Sequence, residues 1–166
     1  MRPITDFGFG PFPTPALAGS ATRNRTAWDL GLTYQSTAWR AYGKLGTTFR
    51  YANTDELFGF DSFTGNPVFA GNLRPQHGKI GELGASFHAG PVSGSATLYR
   101  LRLDDEIGFD GNTFANVNFA PTQRQGLEAE FDWRIAEPLH ARLAWTHADS
   151  RFRDGPYAGK DLPLIA

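Results

Sequence analysis

Between Leu127 and Arg134 the chain alternates without a break. Leu127, Ala129, Phe131 and Trp133 take one parity, while Glu128, Glu130, Asp132 and Arg134 take the other. An extended strand puts these two sets on opposite faces, whereas a helix would mix them. Five further segments read the same way. Near residues 26–36, Trp28, Leu30, Leu32 and Tyr34 oppose Asp29, Gly31, Thr33 and Gln35. Between 38 and 50, Trp39, Ala41, Leu45, Thr47 and Phe49 oppose Arg40, Lys44 and Arg50. From 79 to 89, Leu83, Ala85 and Phe87 oppose Glu82, Gly84, Ser86 and His88. From 95 to 107, Tyr99, Leu101 and Leu103 oppose Arg100, Arg102 and Asp104, which assigns those three cations and anions to the polar face. From 139 to 149, Leu139, Ala141, Leu143 and Trp145 oppose His140, Arg142 and Thr146. Each segment has roughly the 9–11 residues that a tilted strand needs to cross a bilayer.

The connections alternate in length. Short ones fall near Gln35–Ala38, Ala89–Ser93 and Ala136–Pro138; long ones cover Tyr51–Gln76, about Gly108–Thr122, and Arg151 to the end. Outer-membrane barrels have this asymmetry, with tight periplasmic turns and long extracellular loops. Tyr34, Trp39 and Trp133 stand beside short turns on the apolar parity, where an aromatic girdle belongs. The expected fold is therefore all-β, built of antiparallel transmembrane β-hairpins with about six strands. A soluble β-sandwich or lipocalin-like barrel also alternates and stays open as an alternative. The heavily charged opposite face, with Arg40, Lys44, Glu82, Glu128 and Glu130, weighs against it.

Composition agrees with strands and turns: 19 Gly, 14 Phe, 5 Tyr and 4 Trp, against one Met. No run of eighteen apolar residues is present, so no transmembrane helix is expected. A mean hydropathy of −0.38 suits a soluble domain and equally a barrel with a polar lumen. With 16 basic and 17 acidic residues, the chain has no basic excess to grip nucleic acid. The lack of cysteine removes a disulfide framework and a thiolate zinc site. His77, His88, His140 and His147 show no metal-ligand spacing, and no metal or cofactor is expected. Asp104, Asp105 and Glu106 fall where a strand enters a long loop and read as a solvated rim; Asp110-Gly111-Asn112 reads as a turn. No nucleophile–base order, phosphate loop or zinc helix is present, so catalysis is not expected. Residues 1–24 carry no leader-like pattern and read as an extracellular-type loop segment; an exported protein needs a leader, so the natural N-terminus is expected to lie upstream.

Several stretches resemble a known family. Asn53-Thr54-Asp55-Glu56-Leu57-Phe58, Asn72-Leu73-Arg74-Pro75-Gln76 and Gly81-Glu82-Leu83-Gly84 are similar, in order and spacing, to the C-terminal barrel of TonB-dependent outer-membrane receptors. Gln76 stands where that family carries Glu. Asp105-Glu106-Ile107, Asn118 and Gly126-Leu127-Glu128-Ala129-Glu130 resemble its next hairpin, with Leu127 in place of Val. Gly159-Lys160-Asp161-Leu162-Pro163 resembles its Gly-x-x-Leu-Pro loop. The resemblance covers roughly residues 47–166, and it is the ordered set rather than any one motif that is specific.

The resemblance implies a large 22-stranded barrel around a plug domain, in which 25–166 form part of the barrel and the plug and closing strands are absent. It implies active uptake of a scarce nutrient, foremost a ferric siderophore, across a Gram-negative-type outer membrane. Partners would be outer-membrane lipid, a small-molecule metal chelate, and the TonB complex acting through the plug. Arg40, Glu82, Arg100, Arg102, Glu128, Glu130 and Arg142 would face the lumen or plug. Phe58, Phe60, Phe63 and Phe69, in the loop 51–76, are candidates for ligand contact or for packing that loop on itself. A passive porin-type barrel is the other membrane reading.

Overall fold

The computed structural model describes residues 19–20, 22–60 and 65–162. Its strands run in chain order as β1 (Asp29–Gln35), β2 (Trp39–Arg50), the one-turn α1 (Thr54–Leu57), β3 (Phe58–Phe60), β4 (Pro67–Phe69), β5 (Gln76–Ala89), β6 (Val92–Asp104), β7 (Ile107–Asp110), β8 (Ala115–Asn118), β9 (Thr122–Ala136) and β10 (Leu139–Phe152). Six of them form one antiparallel sheet in the order β1-β2-β5-β6-β9-β10. The remaining four make two small hairpins, β3–β4 and β7–β8, inside the long connections. No described helix is long and apolar enough to cross a membrane.

Local chemistry closes the short end of each hairpin. At β1–β2 the Ser36 amide donates to the Trp39 carbonyl at 2.7 Å, and the Trp39 amide donates to Ser36 Oγ at 3.2 Å. At β5–β6 the turn is Gly90-Pro91, and Gly90 has φ +60°, a conformation that costs glycine nothing at the first position of a tight hairpin turn. At β9–β10 the pairing slips between Leu139 and His140, leaving Ile135 as an extra residue beside the turn.

The register aligns one face across all six strands. Leu32, Gly43, Leu83, Leu98 and Leu127 form one cross-strand row. Ala41, Ala85, Ala96, Ala129 and Trp145 form the next, and Trp39, Phe87, Gly94, Phe131 and Leu143 the one nearer the short turns. These side chains are uncovered: Leu32 is 81% exposed, Leu83 64% and Leu143 66%. A sandwich would bury such a face beneath a second sheet, and among the described residues none lies on it.

From β2 onward, four or five outward positions counted from the short turn are apolar or glycine, and then polarity takes over at Thr47, Lys79, Arg100, Gln125 and His147. About eight to ten residues at ~3.3 Å each give roughly 26–33 Å along a strand. At a tilt of ~40° the belt is about 20–25 Å tall, close to the ~25 Å apolar band of outer-membrane barrels. Tyr34, Trp39 and Trp133 lie at its turn-side margin.

In β6 the register departs from the sequence pattern. Val92, Gly94, Ala96, Leu98, Arg100 and Arg102 share the apolar face, whereas Tyr99, Leu101 and Leu103 share the polar one. The apolar parity switches halfway along this strand, and no bulge intervenes to follow it. The half beside the short turn sets the phase because it crosses the belt. The other half lies beyond the belt, and its inward Leu103 is buried at 4% exposure.

The small core gathers at the long-loop end, where Leu73, Leu103, Ile107 and Phe152 are buried and Thr122, the cross-strand partner of Leu103 and Phe152, is fully buried. The loops are tied to the strands by specific bonds. Asn53 and Glu56 form a reciprocal cap on α1, each side chain accepting from the other's backbone amide at 2.8 Å. Asn118 holds the Arg74 amide at 2.8 Å and donates to the carbonyls of Arg74 and Asp105 at 2.9 Å.

Candidate functional site

The polar face carries most of the charged residues that the pattern singled out. Lys44, Glu82, Tyr99, Gly126 and Ala148 make one row; Tyr42, Gly84, Thr97, Glu128 and Thr146 make the next; Arg40, Ser86, Ser95, Glu130 and Ala144 the third. Tyr42 Oη donates to Glu82 Oε1 and lies 3.4 Å from Thr97 Oγ1. The Arg40 guanidinium stands 5.8 Å from the centre of the Tyr42 ring. Arg142 reaches Glu130 at 3.0 Å and Asp132 at 3.8 Å. Glu128 has no ion pair among the described residues. Arg100 and Arg102 are separated from this group because they stand on the apolar-face side of β6.

Two tyrosines lie across glycines on the neighbouring strands. A side chain at Gly84 would collide with the Tyr42 ring, and one at Gly126 with Tyr99. The glycines are thus seats for rings that line the polar face.

At the long-loop end two ionic ties fasten the loops over this face. Arg50 pairs with Glu56 at 2.8 Å and donates to the Ile107 carbonyl at 3.0 Å, linking the 51–75 loop to β7. Glu106 accepts from Arg124 at 2.7 Å and from Thr122 Oγ1 at 2.7 Å. A third contact, Arg74 to Asp105 at 2.6 Å, lies at the rim, where Asp105 has φ +56°.

Between β7–β8 and the segment after β10 these ties leave a cavity of about 810 Å³. Phe109, Phe119, Phe152, Tyr157, Arg124 and Lys160 supply its aromatic and cationic walls. The Phe152 and Tyr157 rings are 5.7 Å apart, and Lys160 Nζ stands 5.9 Å from the Tyr157 ring centre. Sequence reasoning singled out aromatics in the preceding loop instead. There Phe58 and Phe69 pack on each other at 5.2 Å across β3–β4, Phe60 is exposed, and Phe63 lies outside the described residues. The same aromatic signal was present in the later loops, but only the fold brings Phe152, at a strand end, beside Phe109 and Phe119.

Asp110 closes the tip of β7–β8. It accepts from the Asn112 amide at 3.0 Å and from Thr113 Oγ1 at 3.0 Å, and these bonds, the Asn112 amide first, hold its carboxyl below the ordinary carboxylate range.

One antiparallel sheet, apolar outside over a membrane-high belt and polar inside, with tight turns at one end and folded loops at the other, defines the wall of a transmembrane β-barrel. The chain matches the family described as TonB dependent receptor-like, beta-barrel, over residues 5–166. It belongs to that family, whose members are outer-membrane receptors and transporters rather than enzymes. No curated protein matches the chain.

Proposed function

We propose that this chain contributes late barrel strands to a receptor that takes up a scarce nutrient, a ferric siderophore, in a TonB-dependent way. The observation that carries this reading is the 810 Å³ cavity at the long-loop end. Its size suits a small-molecule chelate, and aromatic walls with Lys160 beside the Tyr157 ring suit one whose ligand groups include aromatic rings. Phe60, exposed on the β3–β4 hairpin, is a second candidate contact. Below the cavity, Arg40, Glu82, Glu128, Glu130 and Arg142 line the lumen and offer hydrogen bonds to a plug domain. The TonB complex would act on that plug.

In the full receptor, replacing Phe109 and Tyr157 by Ala together with Lys160→Gln lowers affinity for a ferric catecholate probe at least ten-fold, read by quenching of tryptophan fluorescence. Unchanged affinity rejects the cavity as the ligand site. Iron uptake through the receptor stops when the proton-motive force is collapsed; continued uptake would favour the passive porin reading.

A further inference from the structure

The cations that the register turns outward need a partner. Lys79 and Arg102 are direct cross-strand neighbours on β5 and β6, and Arg100 stands one outward position nearer the belt, beside Gly81. All three are exposed. Like charges opposed across strands repel unless an anion joins them. Among the described residues no carboxylate pairs with any of the three: Arg102 Nε reaches only the side-chain oxygen of Gln123, at 3.2 Å. The nearby outward anions are engaged elsewhere, Asp149 with Arg151 and Asp104 with Arg153 at 2.7 Å.

Their height is equally informative. Lys79 and Arg100 are the first residues beyond the apolar belt on their strands, at the long-loop end where the belt must meet lipid headgroups. Directly beneath Arg100 the belt is grooved. Gly43 and Gly81 lower the surface between Leu30, Leu32, Leu45, Leu83 and Leu98, leaving an apolar groove of about 480 Å³. Arg100 forms part of its lining. An anion site at the end of an acyl-sized groove has the polarity of a lipid.

We propose that Lys79, Arg100 and Arg102, with this groove, form a binding site for a phosphorylated lipid of the surface-facing leaflet. The phosphate bridges the three cations, and one acyl chain lies between the leucines. Charge complementarity selects phosphate, and the adjoining groove selects a lipid over a free ion. The site lies on the outer wall, separate from the lumenal cavity, so nutrient capture does not depend on it.

The test uses the full receptor in a mild detergent, titrated with lipid A bearing two phosphates and followed by native mass spectrometry. Expected are binding by the unaltered receptor, at least ten-fold weakening in the triple variant Lys79→Gln, Arg100→Gln, Arg102→Gln, and a comparable weakening when dephosphorylated lipid A is offered to the unaltered receptor. The second arm needs no variant and holds whatever the triple variant does to folding. Arg134→Gln, which removes a cation from the lumenal face at the short-turn end, leaves lipid A binding unchanged. Equal affinity of the triple variant and the unaltered receptor, or indifference to dephosphorylation, overturns the proposal. Displacement of bound lipid A by millimolar inorganic phosphate also overturns it, because the groove then contributes nothing.

Discussion

At the scale of single residues, the lumenal face rests on ring-and-glycine pairs and the loop end on carboxylates with several donors. Gly84→Ala sets a methyl group into the Tyr42 ring, which is itself held by Glu82 and Thr97. Overpacking of this kind costs about 1–3 kcal/mol, and we expect a lower urea midpoint for the full receptor refolded in lipid vesicles. An unchanged midpoint would mean that the ring swings aside freely. Glu106→Gln removes the charge that Arg124 engages, while keeping the shape. Loss of a charge-assisted bond between partly buried groups costs about 1–3 kcal/mol. The effect belongs to β7–β8, so faster amide exchange at Phe119 and Ile107 is expected there, with the belt strands unaffected. Asp110 gives the same hairpin a pH dependence. Its carboxyl is held below its unfolded value, so its contribution to the tip is complete above the unfolded pKa and fades as pH falls through the folded one. Protection of the Asn112 amide should therefore weaken in acid, and Asp110→Asn should remove that acid response; a persisting response would assign it to another group.

At the scale of elements, the strands were legible because period two is read from nearest neighbours alone. The facing of β9 and β10 follows because each keeps a single phase of alternation across the belt, Leu127 to Trp133 and Ala141 to Trp145. β6 departs from its apparent pattern for a physical reason. Its sequence contains two alternations of opposite phase, Val92-Ala96-Leu98 and Tyr99-Leu101-Leu103, and parity alone has no way to rank them. The belt ranks them, since only a lipid-facing position demands an apolar side chain, whereas an inward position beneath folded loops accepts one. Nitroxides placed in turn at 97, 98, 99 and 100 of the full receptor in vesicles should show high oxygen accessibility at 98, and a higher collision rate with a water-soluble nickel chelate at 97 and 99. The reverse alternation would return Arg100 and Arg102 to the lumen and remove the lipid site with them. Of the small hairpins only the Asp110-Gly111-Asn112 turn at the tip of β7–β8 was legible. Their stability comes from partners far along the chain, Arg50 to Ile107 and Asn118 to Arg74, and no local period records those contacts. The same reason hid the cavity, whose walls come from residues more than forty positions apart.

At the scale of the whole molecule, a sheet ending in β1 and β10 presents two rows of backbone groups that have no strand beside them among the described residues. In water such edges recruit other strands, and in lipid each unpaired group costs several kcal/mol. The apolar belt adds to the problem, because nothing in the sheet covers Leu32, Leu83 or Leu143. Stability therefore belongs to the closed barrel, where each edge acquires a neighbour and the belt acquires lipid. Residues 1–166 expressed alone and offered detergent micelles or vesicles are expected to form oligomers or aggregates by analytical ultracentrifugation, with strand content by circular dichroism but no discrete monomer. The same residues inside the full receptor should give the shifted gel migration of a closed barrel until boiled. A folded monomer of the chain alone, in water without detergent, would contradict the open-edge argument and revive the soluble sandwich, against which the exposed leucine row argues.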